Sequence, residues 1–184
     1  MKTPAVPAQI SKSFEWFLTY IYYPFVKYRI HISLLFFFLI VGTFDYIAHR
    51  PIIWPVVIAF SAWHFALYIF DRAYDFDKDK ITQPQEAIRP NERKFWLIVS
   101  FVCTAIPLVV LPAAGLSVVP YLPFIPVTFL YTFPIYKGIR AKNITLVKNL
   151  YSALLIWTLP LSVILYSYSG SDLGFWAVFE QNFL

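Results

Sequence analysis

The sequence predicts an all-α integral membrane protein, a single domain built as a helical bundle of about five transmembrane helices. Three observations carry this prediction. Five stretches are long and apolar enough to cross a bilayer, which takes about 20 helical residues. The 184 residues are 59% hydrophobic and only 14% charged, whereas a soluble domain carries roughly a quarter charged residues. Finally, the basic residues fall almost wholly on one side once the helices alternate across a membrane.

The elements follow in order. Residues 13–28, SFEWFLTYIYYPFVKY, are rich in aromatics with charges at both ends. That pattern suits a helix lying at the lipid interface better than a sixth span. Spans are expected at about 30–48, 52–70, 95–112, 117–136 and 145–167. A cleaved signal peptide is not indicated, because the first apolar helix begins late and further spans follow it. Pro55, Pro107, Pro123, Pro126 and Pro160 fall inside these spans, where membrane helices tolerate proline and bend. The single cysteine, Cys103, sits in an apolar run and reads as packing.

The charges set the orientation. Lys2, Lys12, Lys27 and Arg29 precede the first span, and Arg72, Lys78, Lys80, Arg89, Arg93 and Lys94 lie in the loop 71–94. Lys137, Arg140, Lys142 and Lys148 surround the fourth-to-fifth connection, leaving Arg50 alone on the other side. The positive-inside rule then puts the N-terminus in the cytoplasm and the C-terminus outside. The net charge of +5 therefore reports membrane topology and argues against a nucleic-acid partner.

The acidic residues are concentrated as sharply. Residues 68–84 read YIFDRAYDFDKDKITQP, so Asp71, Asp75, Asp77 and Asp79 follow directly on an apolar run. If the second span continues as a helix past Phe70, then Asp71, Asp75 and Asp79 recur every four residues and share one face. Asp77 points elsewhere. Like charges at this spacing destabilise a bare helix, and a divalent cation held by hard oxygen ligands would relieve them. A solvated cytoplasmic loop, with Arg72, Lys78 and Lys80 neutralising the acids, is the alternative. The same stretch places acids at EF-hand positions, but Lys80 stands where that loop needs glycine and Pro84 interrupts it.

The D-x-x-x-D-x-x-x-D of Asp71, Asp75 and Asp79, followed by Pro84, resembles the first signature of the UbiA-type intramembrane prenyltransferases. LYTFPIYKGIRAKNITLVKN, 130–149, resembles that family's Tyr-rich fourth-helix end and basic fourth-to-fifth loop. The likeness runs over roughly residues 20 to 167. It implies the N-terminal part of a nine-helix ring around an apolar cavity. It also implies transfer of a prenyl group from prenyl diphosphate to a lipophilic, often aromatic, acceptor. By this resemblance Asp71, Asp75 and Asp79 would hold Mg2+, and Arg140, Lys142 and Lys148, with Lys78 assisting, would grip the diphosphate. Plain topology signalling is the other reading of the basic loop.

Further polar residues within spans are candidates to line the cavity. His64 lies seven residues before Asp71 on nearly the same helix face; an intramembrane ionisable group is a functional candidate, and a histidine hydrogen-bonded to a neighbouring helix is the alternative. Tyr131, Asn149, Tyr151 and Ser152 either line the interior or pack. Asp45 and Arg50 are expected to pair locally. The sequence departs from the family in two ways. Its first motif position is Asp71 rather than the common asparagine, which keeps an oxygen ligand. The second aspartate motif is absent, since the only acids beyond Glu92 are Asp172 and Glu180. Completion of the site by a second chain or by helices missing from this sequence, a truncated non-catalytic homologue that binds prenyl lipid or a partner, and a small cation-binding or transport protein are the resulting alternatives.

Overall fold

The computed structural model describes residues 12–82, 87–133 and 144–169, and among these every regular element is helical. Four helices are long and apolar enough to cross a membrane: α1 (Ile30–Ile47), α2 (Trp54–Tyr74), α4 (Arg93–Ala113) and α6 (Leu146–Tyr168). A short helix α3 (Phe76–Thr82) follows α2, and an apolar stretch α5 (Val119–Leu130) joins α4 to α6. Ahead of α1, residues Lys12–Phe17, Leu18–Tyr22 and Tyr23–Lys27 form successive α, π and α segments.

Four of the five expected spans thus coincide with helices long and apolar enough to cross a membrane, and the fourth differs. Instead of a span over 117–136, the described residues hold the shorter Val119–Leu130, with 134–136 outside the described part. Pro120, Pro123 and Pro126 explain its character. Each lacks an N–H, so the stretch is assembled from a 3₁₀ turn, Val119–Tyr121, and a short α-helix, Phe124–Leu130.

Proline acts elsewhere at helix starts more than at interior kinks. Pro55 occupies the first turn of α2, where a missing donor costs nothing. Pro24 and Pro160 each open an α-helical segment directly after a π-helical one, Leu18–Tyr22 and Tyr151–Thr158. A proline ring clashes with the carbonyl four residues back, and the wider π turn makes room for it. Among the described residues, Pro107 and Pro112 lie inside the α-helix α4.

The core forms around α2, the most enclosed of the four long helices: 56% of its apolar window is buried, against 22% for α4. Phe60 meets Tyr121, Phe124 and Tyr168 edge-on, and Phe36 of α1 stacks against His64. Where apolar surroundings offer no water, polar groups must find partners inside the protein. The Trp63 indole donates to the Phe124 carbonyl at 3.1 Å and to the Thr128 hydroxyl at 2.9 Å. Ser100 donates to the Ala66 carbonyl at 3.0 Å, and Tyr121 to the Thr104 carbonyl at 2.7 Å. These bonds fasten α2 to α4 and α5, and α5 back to α4. Asp45 and Arg50, by contrast, are both exposed and do not form the expected pair; the Arg50 amide bonds the Phe44 carbonyl instead.

Trp63→Phe keeps an aromatic ring, though a smaller one, and removes both hydrogen bonds. We expect it to lower unfolding free energy by about 0.5–2 kcal/mol, and Trp63→Ala to cost about 3–5 kcal/mol. Equilibrium unfolding of the solubilised chain in mixed micelles, followed by far-ultraviolet circular dichroism, measures both.

Candidate functional site

α2 runs past Phe70 to Tyr74 and pauses at Asp75, whose φ of −83° and ψ of 10° leave the helical region, before α3 begins at Phe76. The hydrogen-bond register survives the pause. The Asp75 amide donates to the Asp71 carbonyl, and the Asp79 amide to the Asp75 carbonyl, both at 2.9 Å. The four-residue spacing is therefore realised in space. Exposure follows it: Asp75 is buried, Asp71 and Asp79 are partly buried, and Asp77 is exposed.

The three shared-face carboxylates nonetheless have different surroundings. Asp71 Oδ1 accepts a hydrogen bond from the Thr132 hydroxyl at 3.1 Å, which ties the end of α2 to the segment after α5. Asp79 Oδ2 lies 2.9 Å from Arg72 Nη1, and both side chains are largely enclosed, at 14% and 6% exposure. Seven residues are almost two helical turns, so Arg72 and Asp79 stand one above the other. Among the described residues no three of His, Cys, Asp and Glu gather closely enough to hold one metal ion. The donor type suits Mg2+, which takes carboxylate oxygens, but the arrangement gives Asp79 to Arg72.

Tyrosines border this end of the bundle. Tyr68 and Tyr131 are within electrostatic reach of Asp71. The Tyr131 ring lies 5.2 Å from that of Tyr151, and the Tyr151 hydroxyl is committed to the Val127 carbonyl at 2.7 Å. Two turns deeper, His64 is fully buried. It stacks on Phe36 with centroids 4.1 Å apart and planes 8° apart, and meets Trp157 at 4.9 Å and Tyr68 at 5.0 Å. Among the described residues neither ring nitrogen has a hydrogen-bond partner. The expected bond to a neighbouring helix is therefore not made, and aromatic contacts surround the imidazole instead.

The candidate diphosphate ligands are less gathered. Lys78 is exposed beside Asp77, and Lys148 and Asn149 are exposed in the first turns of α6. Arg140 and Lys142 lie outside the described residues.

A second polar cluster was not anticipated from the sequence. Glu92 Oε2 accepts from Lys27 Nζ at 3.3 Å, from the Tyr28 hydroxyl at 3.1 Å and from the Arg89 amide at 3.4 Å. The Tyr28 ring packs on Trp96 at 4.2 Å. Arg93 Nε donates to the Ala73 carbonyl at 3.1 Å, satisfying an orphan carbonyl at the end of α2, and its guanidinium lies 5.7 Å from the centre of the Phe76 ring. The segment before α1 and the turn after α2 are thus both fastened to the start of α4. Contacts across 65 residues leave no local pattern to read.

Partial burial opposes ionisation of Glu92, but the Tyr28 hydroxyl and the Lys27 ammonium outweigh it and hold the carboxyl below its usual range. Burial, with Glu92 beside it, pushes the Tyr28 phenol up.

Comparisons with protein-family models, curated proteins and solved structures gave no match to this chain.

Because the folded-state value of Glu92 is depressed, its stabilising contribution is present above the unfolded-state value, near 4.3. That contribution is lost as pH falls through the lower, folded value. Glu92→Gln should therefore flatten the decline in stability between about pH 5 and pH 3. Protease cleavage of residues 12–28, followed against pH, should rise on acidification in the parent and be high and nearly pH-independent in the variant.

Proposed function

We propose that the chain is a multi-pass membrane protein, N-terminus cytoplasmic, that binds a prenyl diphosphate together with Mg2+ at the Asp71–Asp79 end of α2. It takes part there in transfer of the prenyl group to a lipophilic, aromatic or lipid-like acceptor. The observation that carries this reading is the placement of three low-exposure carboxylates at the end of the most enclosed apolar helix. The asymmetric basic residues support the orientation.

The division of labour follows from the chemistry. When bound, Mg2+ neutralises phosphate oxygens and eases departure of diphosphate by acting as a Lewis acid. Asp71 and Asp75 supply the oxygen donors, with Asp71 aimed by the Thr132 hydroxyl. Arg140, Lys142, Lys148 and Lys78 meet the remaining phosphate charge. Tyr68 and Tyr131, within electrostatic reach of Asp71, carry aromatic faces of the kind that favour positive charge developing on an allylic carbon.

One feature of the sequence favours a second reading. With Asp172 and Glu180 the only acids after Glu92, a second aspartate motif is not present in these residues. Either residues outside this sequence, in the same chain or a partner's, complete the site, or the chain binds prenyl lipid without turnover. Cation transport is less well supported, because the acids stand at a helix end, whereas transporters bind near the bilayer midplane.

Reconstituted chain, labelled farnesyl diphosphate and Mg2+ test the proposal. Asp71→Asn and Asp75→Asn should each weaken binding at least about tenfold, ~1.4 kcal/mol, and Asp77→Asn less than about twofold. Equal losses from all three would overturn the shared-face site. Addition of aromatic acceptors then separates the two readings: prenylated product means an enzyme, and binding without product means a carrier or half-site.

A further inference from the structure

We infer that the bend between residues 12–28 and α1 holds a binding site for a single-chain carboxylic acid of the lipid phase, a fatty acid, whose carboxyl group is received by His31. The site is a pocket of about 600 Å3 lined by Phe17, Ile21, Tyr22, Phe25, Val26 and His31. None of these residues belongs to the Asp71–Asp79 end of α2, so the inference is independent of the prenyl diphosphate reading.

The backbone makes the pocket. Residues four apart share a face of an α-helix, and the π turn Leu18–Tyr22 lengthens that step to about five. Phe17, then Ile21 and Tyr22, then Phe25 and Val26 therefore fall along one face. Arg29 follows in the left-handed region, with φ of 57° and ψ of 25°, and turns the chain into α1. Hydrogen bonds brace both sides of the turn. The Arg29 amide donates to the Val26 carbonyl at 3.0 Å, and the Ile32 amide to the Arg29 carbonyl at 3.1 Å. Glu92 anchors Lys27 and Tyr28 directly beside it. The pocket is thus built into the fold, and its volume falls within the roughly 300–1,000 Å3 usual for small-ligand sites.

The chemistry of the ligand follows from His31. Its Nδ1 lies 3.3 Å from the Phe25 carbonyl. A carbonyl only accepts, so Nδ1 carries the hydrogen and Nε2 of the neutral ring presents a lone pair. Among the described residues Nε2 has no hydrogen-bond partner. A carboxylic acid gives its proton to that nitrogen and remains as the carboxylate of a charge-assisted N–H···O pair. An ester-linked phospholipid chain has no proton to give. The rest of the lining, the Tyr22 hydroxyl apart, is apolar and suits an alkyl chain. Charge favours an anion as well: between residues 12 and 31 stand Lys12, Lys27 and Arg29 and one acid, Glu15. The same stretch exposes Trp16, Tyr20 and Tyr23, residue types that settle at the membrane interface, where a fatty acid keeps its carboxyl.

Photolabelling of the full chain in phosphatidylcholine nanodiscs with a diazirine-bearing palmitic acid, mapped by peptide mass spectrometry, tests the site. Label should collect saturably in residues 17–31 and exceed that on the exposed side of α4, from Phe95 to Val109. Unlabelled oleic acid should displace it at concentrations at least about tenfold lower than methyl oleate, a difference of ~1.4 kcal/mol. His31→Leu should bring acid and ester within about twofold of each other, and so should His31→Gln, which keeps a donor but no basic nitrogen. Ile21→Trp fills the pocket and should lower labelling of 17–31 at least about fivefold while leaving α4 unchanged. All variants are read in protein whose circular dichroism matches the parent. Labelling of 17–31 no stronger than that of α4 overturns the inference. Equal displacement by acid and ester in the parent also overturns it, and makes the pocket a groove for ordinary phospholipid chains. A preference for the acid that survives the His31 variants, or undiminished labelling in Ile21→Trp, overturns it as well.

Discussion

Enclosing α2 is the constraint that the other helices satisfy. Phe36 of α1, Tyr121 and Phe124 of α5, and Trp157 and Tyr168 of α6 all bury surface around it. The polar groups this burial would strand are met locally, Trp63 by the Phe124 carbonyl and Thr128, and the Ala66 carbonyl by Ser100. An apolar helix held on several sides can carry charge only where it emerges. The aspartates stand there.

The end of α2 is accordingly where order and charge meet. Thr132 holds Asp71, Arg72 holds Asp79, and Arg93 caps the Ala73 carbonyl. The segment before α1 is drawn to the same side through Glu92, which gathers Lys27, Tyr28 and Arg89.

Much of this was legible because apolar runs of about 20 residues have few other uses. The helix through Asp71 and the separation of Asp71, Asp75 and Asp79 from Asp77 follow from a four-residue period, whereas which of the two faces is enclosed does not. The fourth span was the hardest to read, because Pro120, Pro123 and Pro126 sit in a stretch whose hydropathy hides its broken backbone. The alternative in which Arg72 neutralises acids held part of the truth: seven residues is a same-face spacing, and Arg72 reaches Asp79 inside the protein rather than in solvent. The Glu92 cluster and the aromatic setting of His64 depend on which helices become neighbours, and no local pattern encodes that.

The central claim is that the Asp71–Asp79 end of α2 recognises diphosphate through a divalent cation. Calorimetric titration of the reconstituted parent chain with farnesyl diphosphate, in Mg2+ and then in excess chelator, tests it most directly. The account predicts saturable binding in Mg2+ that disappears with chelator and is absent for farnesol. Equal binding with and without the metal, or equal binding of farnesol, would contradict it.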